Sequence, residues 1–520
     1  MTGLSRRFVA GIAGSVLAVA SLSPRAAELE PVEVGLTTGG SLIEAVRVAP
    51  GLYDAPTVVL IGGLGNDEAS ARAVRAQAEA YAGLPDAERP FTLFAIAAAN
   101  PERRTLVFPP TGPAYRENAE SHALWRWLGL TAPDLVLIAG DDAAGLADAM
   151  AAADVAGVAP IRARLVGNGA PLLAAVPSGL AASPARLKLE SRRARTPIEL
   201  ADVLAPIYGQ GFDPPIYIDG MALIAHLMLG NADHVARLAE PYVDGTRESL
   251  GGRFGVSSLV IAGHLVFAEL AERTGDARYL ERARAAAELA FDDDGEMLEA
   301  MPGHGEMSDA IFMGASILAH VGELTGERRY FDMAARQIDF MNALVRRDDG
   351  LYRHSPLTDA AWGRGNGFAA IGYALTLSRL PQEHPAHAEL LGEYRELMRT
   401  LARWQNADGT WRQVVDHPGA YHETSSTAII GYSMQRGLNR GWLAPEEFDA
   451  TVERAWLGLL TRTDADGGFI DVSESTNKQP TLEAYLHREA LLGRDPRTGC
   501  FALLFAVERA RADGSLATPE

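Results

Sequence analysis

The sequence predicts a two-part chain, an N-terminal α/β domain followed by an all-α (α/α)6 barrel. Three observations predict it. Up to about residue 170, short β-branched runs alternate with alanine-rich helical stretches. From about residue 200 the pattern is helical, and Asp-Gly pairs recur at 244–245, 294–295, 349–350, 408–409 and 466–467. At 520 residues and 48% hydrophobic content, the chain can bury more than one core.

Residues 1–27 read as an export leader. Arg6 and Arg7 precede an apolar, small-residue stretch from Phe8 to Leu22, and Pro24-Arg25-Ala26-Ala27 offers small residues for cleavage. The apolar run falls short of the roughly 20 residues that a membrane span needs. A soluble periplasmic or secreted protein is expected, with no membrane partner.

The next part, residues 28–170, is expected to hold a largely parallel sheet. Thr57–Ile61, Phe91–Ala99 and Asp134–Ile138 are apolar runs of strand length. Glu68–Tyr81 and Glu117–Leu128 are the helical stretches between them. Sites in such sheets form beyond the carboxyl ends of strands, here Gly62–Glu68, Asn100–Arg104 and Gly140–Asp142. Residues 171–199 read as a linker, rich first in Gly, Pro, Ser and Ala and then in Arg186, Lys188, Arg192, Arg193 and Arg195. That basic run is either a solvated join or a patch that guides polyanions.

Residues 200–515 carry the repeat. The Asp-Gly spacings are 50, 55, 59 and 58 residues. Two helices and two turns take about 40–55 residues. Thr274-Gly275-Asp276-Ala277-Arg278-Tyr279 is echoed by Thr325-Gly326-Glu327-Arg328-Arg329-Tyr330, each leading into a helical pattern, Leu280–Phe291 and Phe331–Leu344. About six helical hairpins follow. Closure into a toroid is preferred to an open solenoid, because motifs from different repeats read as converging on one cavity.

Composition limits function. With 47 Lys+Arg against 67 Asp+Glu, the formal charge of −20 argues against a nucleic-acid partner. A single cysteine, Cys500, excludes an intrachain disulfide and a thiolate metal cluster. The acidic balance also disfavours gripping a long polyanion by the surface. It is compatible with a short anionic fragment held in a pocket by one or two local cations, since distant charge is screened over about 8 Å at physiological salt.

Candidate chemistry concentrates in the helical half. Met307-Ser308-Asp309-Ala310-Ile311-Phe312-Met313 sets one carboxylate against an apolar helix, a setting that favours the protonated form a general acid needs. Ser308 or Asp309 also has a bland reading, as a helix N-cap. In Trp362-Gly363-Arg364-Gly365-Asn366-Gly367-Phe368, the glycines allow a ligand to approach the backbone, Trp362 and Phe368 offer flat faces to a sugar, and Arg364 suits a carboxylate. His422-Glu423-Thr424-Ser425-Ser426 either lines the cavity or caps a helix, with lining preferred. His487 and Arg488 are candidates for the rim.

Residues 245–510 resemble the unsaturated uronyl hydrolases of glycoside hydrolase families 88 and 105, which include the unsaturated rhamnogalacturonyl hydrolases. The carriers are Ser308–Met313, Gly350-Leu351-Tyr352-Arg353-His354, Trp362–Phe368, Leu380-Pro381, Trp404-Gln405, Gly409–Gln413 and Glu423–Ser426, in order and spacing. The resemblance implies an (α/α)6 barrel, an unsaturated uronyl oligosaccharide as partner, and no metal or other cofactor. It implies Asp309 as general acid and then base, with His354, Trp362 and Arg364 holding the sugar. A second family aspartate is absent, since its region reads Val256-Ser257-Ser258-Leu259. Glu306, Asp219 and Asp244 are candidate substitutes, and His304 a candidate for a family histidine.

Residues 57–140 resemble zinc carboxypeptidases of the succinylglutamate-desuccinylase type, through Gly62–Glu68, Asn100–Arg103, Tyr115–Asn118 and Pro133–Leu137. The two histidine ligands of that family fall on Gly65 and Gly140. Glycine offers no ligand, so neither zinc nor peptidase activity is expected. Arg103, Arg104 and Arg116 remain candidates to hold an anion there. The rival readings of the whole chain are a non-catalytic glycan-binding protein and an active front metallopeptidase.

Overall fold

The computed structural model describes residues 27–517 except 53, 66, 168, 252 and 253. The expected leader lies, apart from Ala27, outside the described residues.

Six strands build the front sheet: β1 (Glu30–Leu36), β2 (Leu42–Val48), β3 (Thr57–Ile61), β4 (Thr92–Ile96), β5 (Leu135–Ala139) and β6 (Ala163–Val166). Their order is β1-β2-β4-β3-β5-β6. The pairings β3–β4, β3–β5 and β5–β6 are parallel, and a β1–β2 hairpin adds antiparallel to β4. Alternation along β3 explains the layering. Val58 and Leu60 join a core with Val74 and Ala78 of α1 (Glu68–Ala82). Val59 and Ile61 face the other way, into a core with Ala123 and Leu124 of α2 (Ala119–Thr131). A further helix, α3 (Leu146–Ala152), precedes β6.

Residues 171–199 are not a solvated join. They include α4 (Pro184–Arg193), and α5 (Pro197–Leu204) begins at their end. The basic side chains are used internally: Arg186 pairs with Asp54, Asp134 and Glu190, and Arg192 and Lys188 with Asp464. Arg195 donates to the carbonyls of Leu460 and Thr463 at the end of a later helix. Spent in this way, they offer no patch for polyanions.

The remainder is a closed double ring. Its outer members are α5, α7 (Ala232–Val243), α10 (Ala277–Glu288), α12 (Arg328–Val345), α14 (His387–Arg403) and α16 (Pro445–Arg462). The inner members are α6 (Tyr217–Met228), the α8–α9 pair (Ser258–Gly263, Leu265–Thr274), α11 (Ala310–Thr325), α13 (Gly363–Arg379), α15 (Thr424–Asn439) and α18 (Pro496–Ala512). Each inner member packs on the next, and α18 closes on α6. Inner helices are apolar on nearly every side because both of their faces are covered, as in α11, where thirteen residues are buried. The five recurring Asp-Gly pairs at 244–245, 294–295, 349–350, 408–409 and 466–467 are turns whose glycine takes φ of 78–85°. Gly275 and Gly326, in the echoed motif, are left-handed C-caps of α9 and α11.

Two features close the ring's interior. Tyr217, Phe312, Phe368 and Phe501, from four inner helices, meet as an aromatic plug, with Phe312 and Phe368 stacked at 5.8 Å. At the carboxyl ends of the inner helices, Arg379 is bound by Glu269, Glu272 and Glu323.

The front sheet abuts the amino-terminal end of the ring. Tyr421, Ile470 and Ala490 of the helical part belong to the same core as α2. Ile470 lies on β9 (Phe469–Ser473), which pairs with β10 (Ala490–Gly493). Between two short strands, β7 (Trp411–Arg412) and β8 (His422–Glu423), the loop is pinned by Glu33 of β1, which accepts from Arg412 at 2.9 and 3.0 Å and from the Gly419 amide at 2.9 Å. The segment between β9 and β10 includes the short helix α17 (Leu482–Leu486).

Candidate active site

The amino-terminal ends of α11, α13 and α15 lie side by side, where Gly365 abuts Ser308 and Arg364 donates to Ser425, and this brings Asp309, Arg364 and Glu423 into one neighbourhood. Asp309 immediately precedes α11, and its side chain makes no capping hydrogen bond. The cap reading is therefore not realised, and the carboxylate is free for other work. Its Oδ2 lies 3.3 Å from Nε2 of His354, which is fully buried. The two atoms are close without hydrogen-bond alignment, and both are buried without another partner. Ser308 Oγ and Trp362 Nε1 are likewise buried and unpartnered. A group of unsatisfied polar atoms marks a site made for a guest with polar groups of its own.

His354 is held from behind. Its Nδ1 lies 2.7 Å from the hydroxyl of Tyr485, on α17, and that oxygen accepts from the Gln479 amide at 3.1 Å. Burial, the leading cause, pushes the Tyr485 phenol up to about 12, so it keeps its proton. The phenol thus donates to Nδ1, and in the neutral ring the proton sits on Nε2, facing Asp309. The Trp362 ring lies 4.4 Å from the imidazole and forms a buried wall.

Arg364 is almost wholly buried. Its Nε donates to Ser425 Oγ at 2.8 Å, its Nη2 to the Ser473 carbonyl, and its guanidinium lies 5.2 Å from the Trp362 ring. Among the described residues no carboxylate forms an ion pair with it. A buried cation held by neutral groups is poised for an anionic ligand.

Several expected roles change. Glu423 is buried and saturated: its carboxylate accepts from the amides of Ser425, Ser426 and Ser473 at 2.9, 2.6 and 3.0 Å and from the Ser425 hydroxyl. It is the cap of α15 and orients Ser425 toward Arg364; it does not line the cavity. Phe368 lies one turn further along α13, inside the aromatic plug, and presents no open face. His304 turns its ring against Phe340 at 5.2 Å and uses Nδ1 to accept from the Glu306 amide. The glycines of the α13 motif serve helix packing: a Cβ at Gly365 would lie 2.7 Å from Ser308 Oγ, and one at Gly363 2.5 Å from the Arg412 carbonyl. His487 faces Tyr115 of the front part, with its Nδ1 3.0 Å from that residue's carbonyl.

The three candidate substitutes for a second acid separate cleanly. Glu306 is exposed and paired with Lys478. Asp244 is exposed and bound by Thr246, whose hydroxyl and amide hold its carboxyl low. Asp219 sits in the first turn of α6, half-buried, and burial alone pushes it up to about 6.

Among the described residues, one group of side chains has a metal-ligating arrangement, Glu269, Glu272 and His320, at the far end of the ring. Arg379 already supplies a cation to both glutamates. In the front part, Glu68 pairs with Arg72 and Arg103, and Arg104 with Glu102, while Arg116 pairs with Glu474 and Glu489 of the helical part. The three arginines are thus paired with carboxylates and hold no open anion site.

Where the amino-terminal ends of the inner helices meet, the toroid gathers an uncapped carboxylate, a buried imidazole and a buried guanidinium with no ion-pair partner among the described residues, polar groups of the kind a small-molecule site uses. Residues 235–512, more than half of the chain, match the model of Glycosyl Hydrolase Family 88, and the chain belongs to that family. It is a glycoside hydrolase. It is 25% identical over 267 residues to the unsaturated rhamnogalacturonyl hydrolase YesR of Bacillus subtilis (strain 168), covering 48% of this chain and 75% of that protein. It is 25% identical over 185 residues to an unsaturated 3S-rhamnoglycuronyl hydrolase of Alteromonas sp. (strain LOR), covering 33% of this chain and 45% of that one. In fold it is similar to a crystal structure described as a possible member of the GH105 family from Klebsiella pneumoniae, with a TM-score of 0.53 at 20% identity, covering 66% of this chain and 97% of that one. The family match begins at residue 235 and does not reach the front sheet.

Proposed function

We propose that this enzyme removes a 4,5-unsaturated uronic acid from the non-reducing end of short oligosaccharides left by polysaccharide lyases. The observation that carries the reading is an uncapped Asp309 at the start of α11 together with a buried Arg364, at the start of α13, that has no carboxylate partner among the described residues. The names of the two relatives point to unsaturated uronyl substrates as well.

Arg364 binds the sugar carboxylate as a charge-assisted contact. Asp309, protonated, delivers its proton to C4 of the C4=C5 vinyl ether, leaving positive charge shared between C5 and the ring oxygen. His354 steadies the carboxylate so formed. Asp309 then takes a proton from water as the water oxygen bonds to C5. The hemiketal opens, the C5–ring oxygen bond breaks to give a ketone, and the resulting C1 hemiacetal collapses to an aldehyde with loss of the aglycone alcohol. The sum is addition of one water. One carboxylate suffices, unlike the pair of an ordinary glycosidase.

The test is loss of the ultraviolet absorbance of the conjugated double bond in lyase-generated oligosaccharides. Asp309→Asn is expected to lower kcat by about 10²–10⁴-fold, the usual contribution of a general acid. Unchanged turnover in that variant refutes the role of Asp309, and binding without turnover by the wild type selects a glycan-binding protein instead.

Export to the periplasm or beyond is proposed from residues 1–27. No helix among the described residues is long and apolar enough to cross a membrane. For the front sheet we propose a carboxypeptidase-like origin without zinc or peptidase activity, supported by glycine at positions 65 and 140 and by the pairing of Glu68. Stoichiometric zinc in the purified protein would overturn this.

A further inference from the structure

We infer that the front sheet is a clamp on the active site, and that its Tyr115–Arg116 turn fixes the two segments that position His354 and Arg364. The inference rests on the roles proposed above for those two residues.

The first segment runs from 474 to 489, between β9 and β10. Its two ends are Glu474 and Glu489, and Arg116 of the front part reaches both, at 3.7 and 2.7 Å. The ends also bind each other, through Glu474 N to the Glu489 carbonyl at 3.0 Å and Glu489 N to Glu474 Oε1 at 3.1 Å. Beside them, His487 Nδ1 donates to the Tyr115 carbonyl and Ala490 N to the Ala114 carbonyl. From this fastened base the segment extends over the mouth. Tyr485 touches His354, and Lys478 ties the segment to Glu306 at 3.0 Å and the Gly305 carbonyl at 3.1 Å, three and four residues before Asp309.

The second segment is β9. Asp471 is buried, with a left-handed φ of 57° that its surroundings must enforce. Two front-part side chains surround its carboxylate: the Tyr115 hydroxyl donates at 3.4 Å and Arg126 Nε stands 3.7 Å away. Tyr115 also stacks on Tyr421 at 4.7 Å. Two residues beyond Asp471, Ser473 gives its amide to Glu423 and its carbonyl to Arg364. Tyr115 and Arg116 therefore act through other residues. They are positioning residues, and the helical ring relies on the sheet to complete its site.

The test uses the full chain with Arg116→Ala, Arg116→Lys and Tyr115→Phe, all mild changes, read by local hydrogen exchange and by kinetics. Arg116→Ala removes two partly exposed pairs. Amide exchange in 474–489 and 302–309 is expected to rise about 5-fold, with exchange in the front sheet unchanged and kcat/KM lowered by a similar factor. Arg116→Lys is expected to restore part of both. Tyr115→Phe keeps the stack on Tyr421 and loses the hydroxyl at Asp471; a raised KM is expected, because the affected path ends at Arg364. Unchanged exchange in 474–489 for Arg116→Ala, or a wild-type KM for Tyr115→Phe, overturns the clamp. If the wild type proves inert toward unsaturated oligosaccharides while exchange responds as stated, the hydrolase reading fails and the clamp stands.

Discussion

Replacing Asp219 by asparagine isolates the cost of a half-buried carboxylate at the mouth. Burial is the whole cause of its displacement from an ordinary value of 3.8 to about 6. At neutral pH the folded protein carries this group charged in a place that favours its neutral form. The displacement corresponds to about 3 kcal/mol, an upper bound because water still reaches the group. In the unfolded chain Asp219 titrates near 3.8, and in the folded protein near 6. Between those values the folded state binds more protons, so its stability falls as pH rises through the window and stays reduced above it. Asp219→Asn removes the penalty. The variant is expected to be more stable than the wild type by about 1–3 kcal/mol at pH 7.5 and equal to it near pH 4. Urea midpoints for both proteins at four pH values between these limits supply the measurement, and other carboxylates cancel in the difference. No gain at pH 7.5, or a gain that persists undiminished at pH 4, refutes the reasoning. If Asp219 also serves the reaction, the stabilised variant loses activity, the usual trade at such sites.

Arg364→Lys keeps a charge but loses the fork that spans Ser425 and Ser473; KM for an unsaturated disaccharide is expected to rise about 10-fold or more, and an unchanged KM would remove Arg364 from the carboxylate's path. Gly409→Ala is expected to cost several times more stability than Gly245→Ala. Both glycines are left-handed, but a Cβ at 409 would sit 1.8 Å from the Arg454 carbonyl, whereas nothing lies within 4 Å at 245. The strain at 245 alone is about 1–2 kcal/mol, and thermal melting of the two variants separates the terms. Binding of a short unsaturated oligosaccharide is expected not to strengthen strongly with added salt, because the local cation outweighs the distant field; a marked strengthening measured by titration would show that long-range repulsion dominates.

Much of the helical half was legible because its signals are local. A left-handed turn needs glycine wherever it occurs, so the Asp-Gly pairs mark the repeat without knowledge of the fold. Asp309, His354, Trp362 and Arg364 also emerge from the motifs, since their neighbours 308–313 and 362–368 form one packed unit. The same motif misled at Phe368 and at the glycines. Residues on one turn of a helix point to different places, and only the positions of α11 and α15 decide which face meets the cavity and which meets a neighbour. Glu423 shows the same limit: its two roles, lining or capping, differ only in where the chain before α15 bends.

Tyr485 could not have been found from periodicity. It lies on a five-residue helix in an irregular segment, and its partner His354 is 131 residues away. Residues 171–199 were misread for a related reason. Arginines look solvated until the carbonyls that end α16 and the carboxylate of Asp464 are placed beside them.

What the sequence determined by itself is the list of parts: a parallel-rich sheet, about six helical hairpins, one acid set against an apolar helix, one arginine suited to a carboxylate, and the family they resemble. These follow from period, turn chemistry and motif spacing, which are properties of neighbours in the chain. What only the tertiary structure decided is how the parts depend on one another. The front sheet, read from sequence as a separate unit, is joined to the helical part through Asp471, Glu474 and Glu489. The physical reason is that a hydrogen bond or ion pair between residues hundreds of positions apart, such as Arg116 with Glu489, leaves no trace in either local stretch. It exists only when folding has brought two distant stretches of the chain side by side.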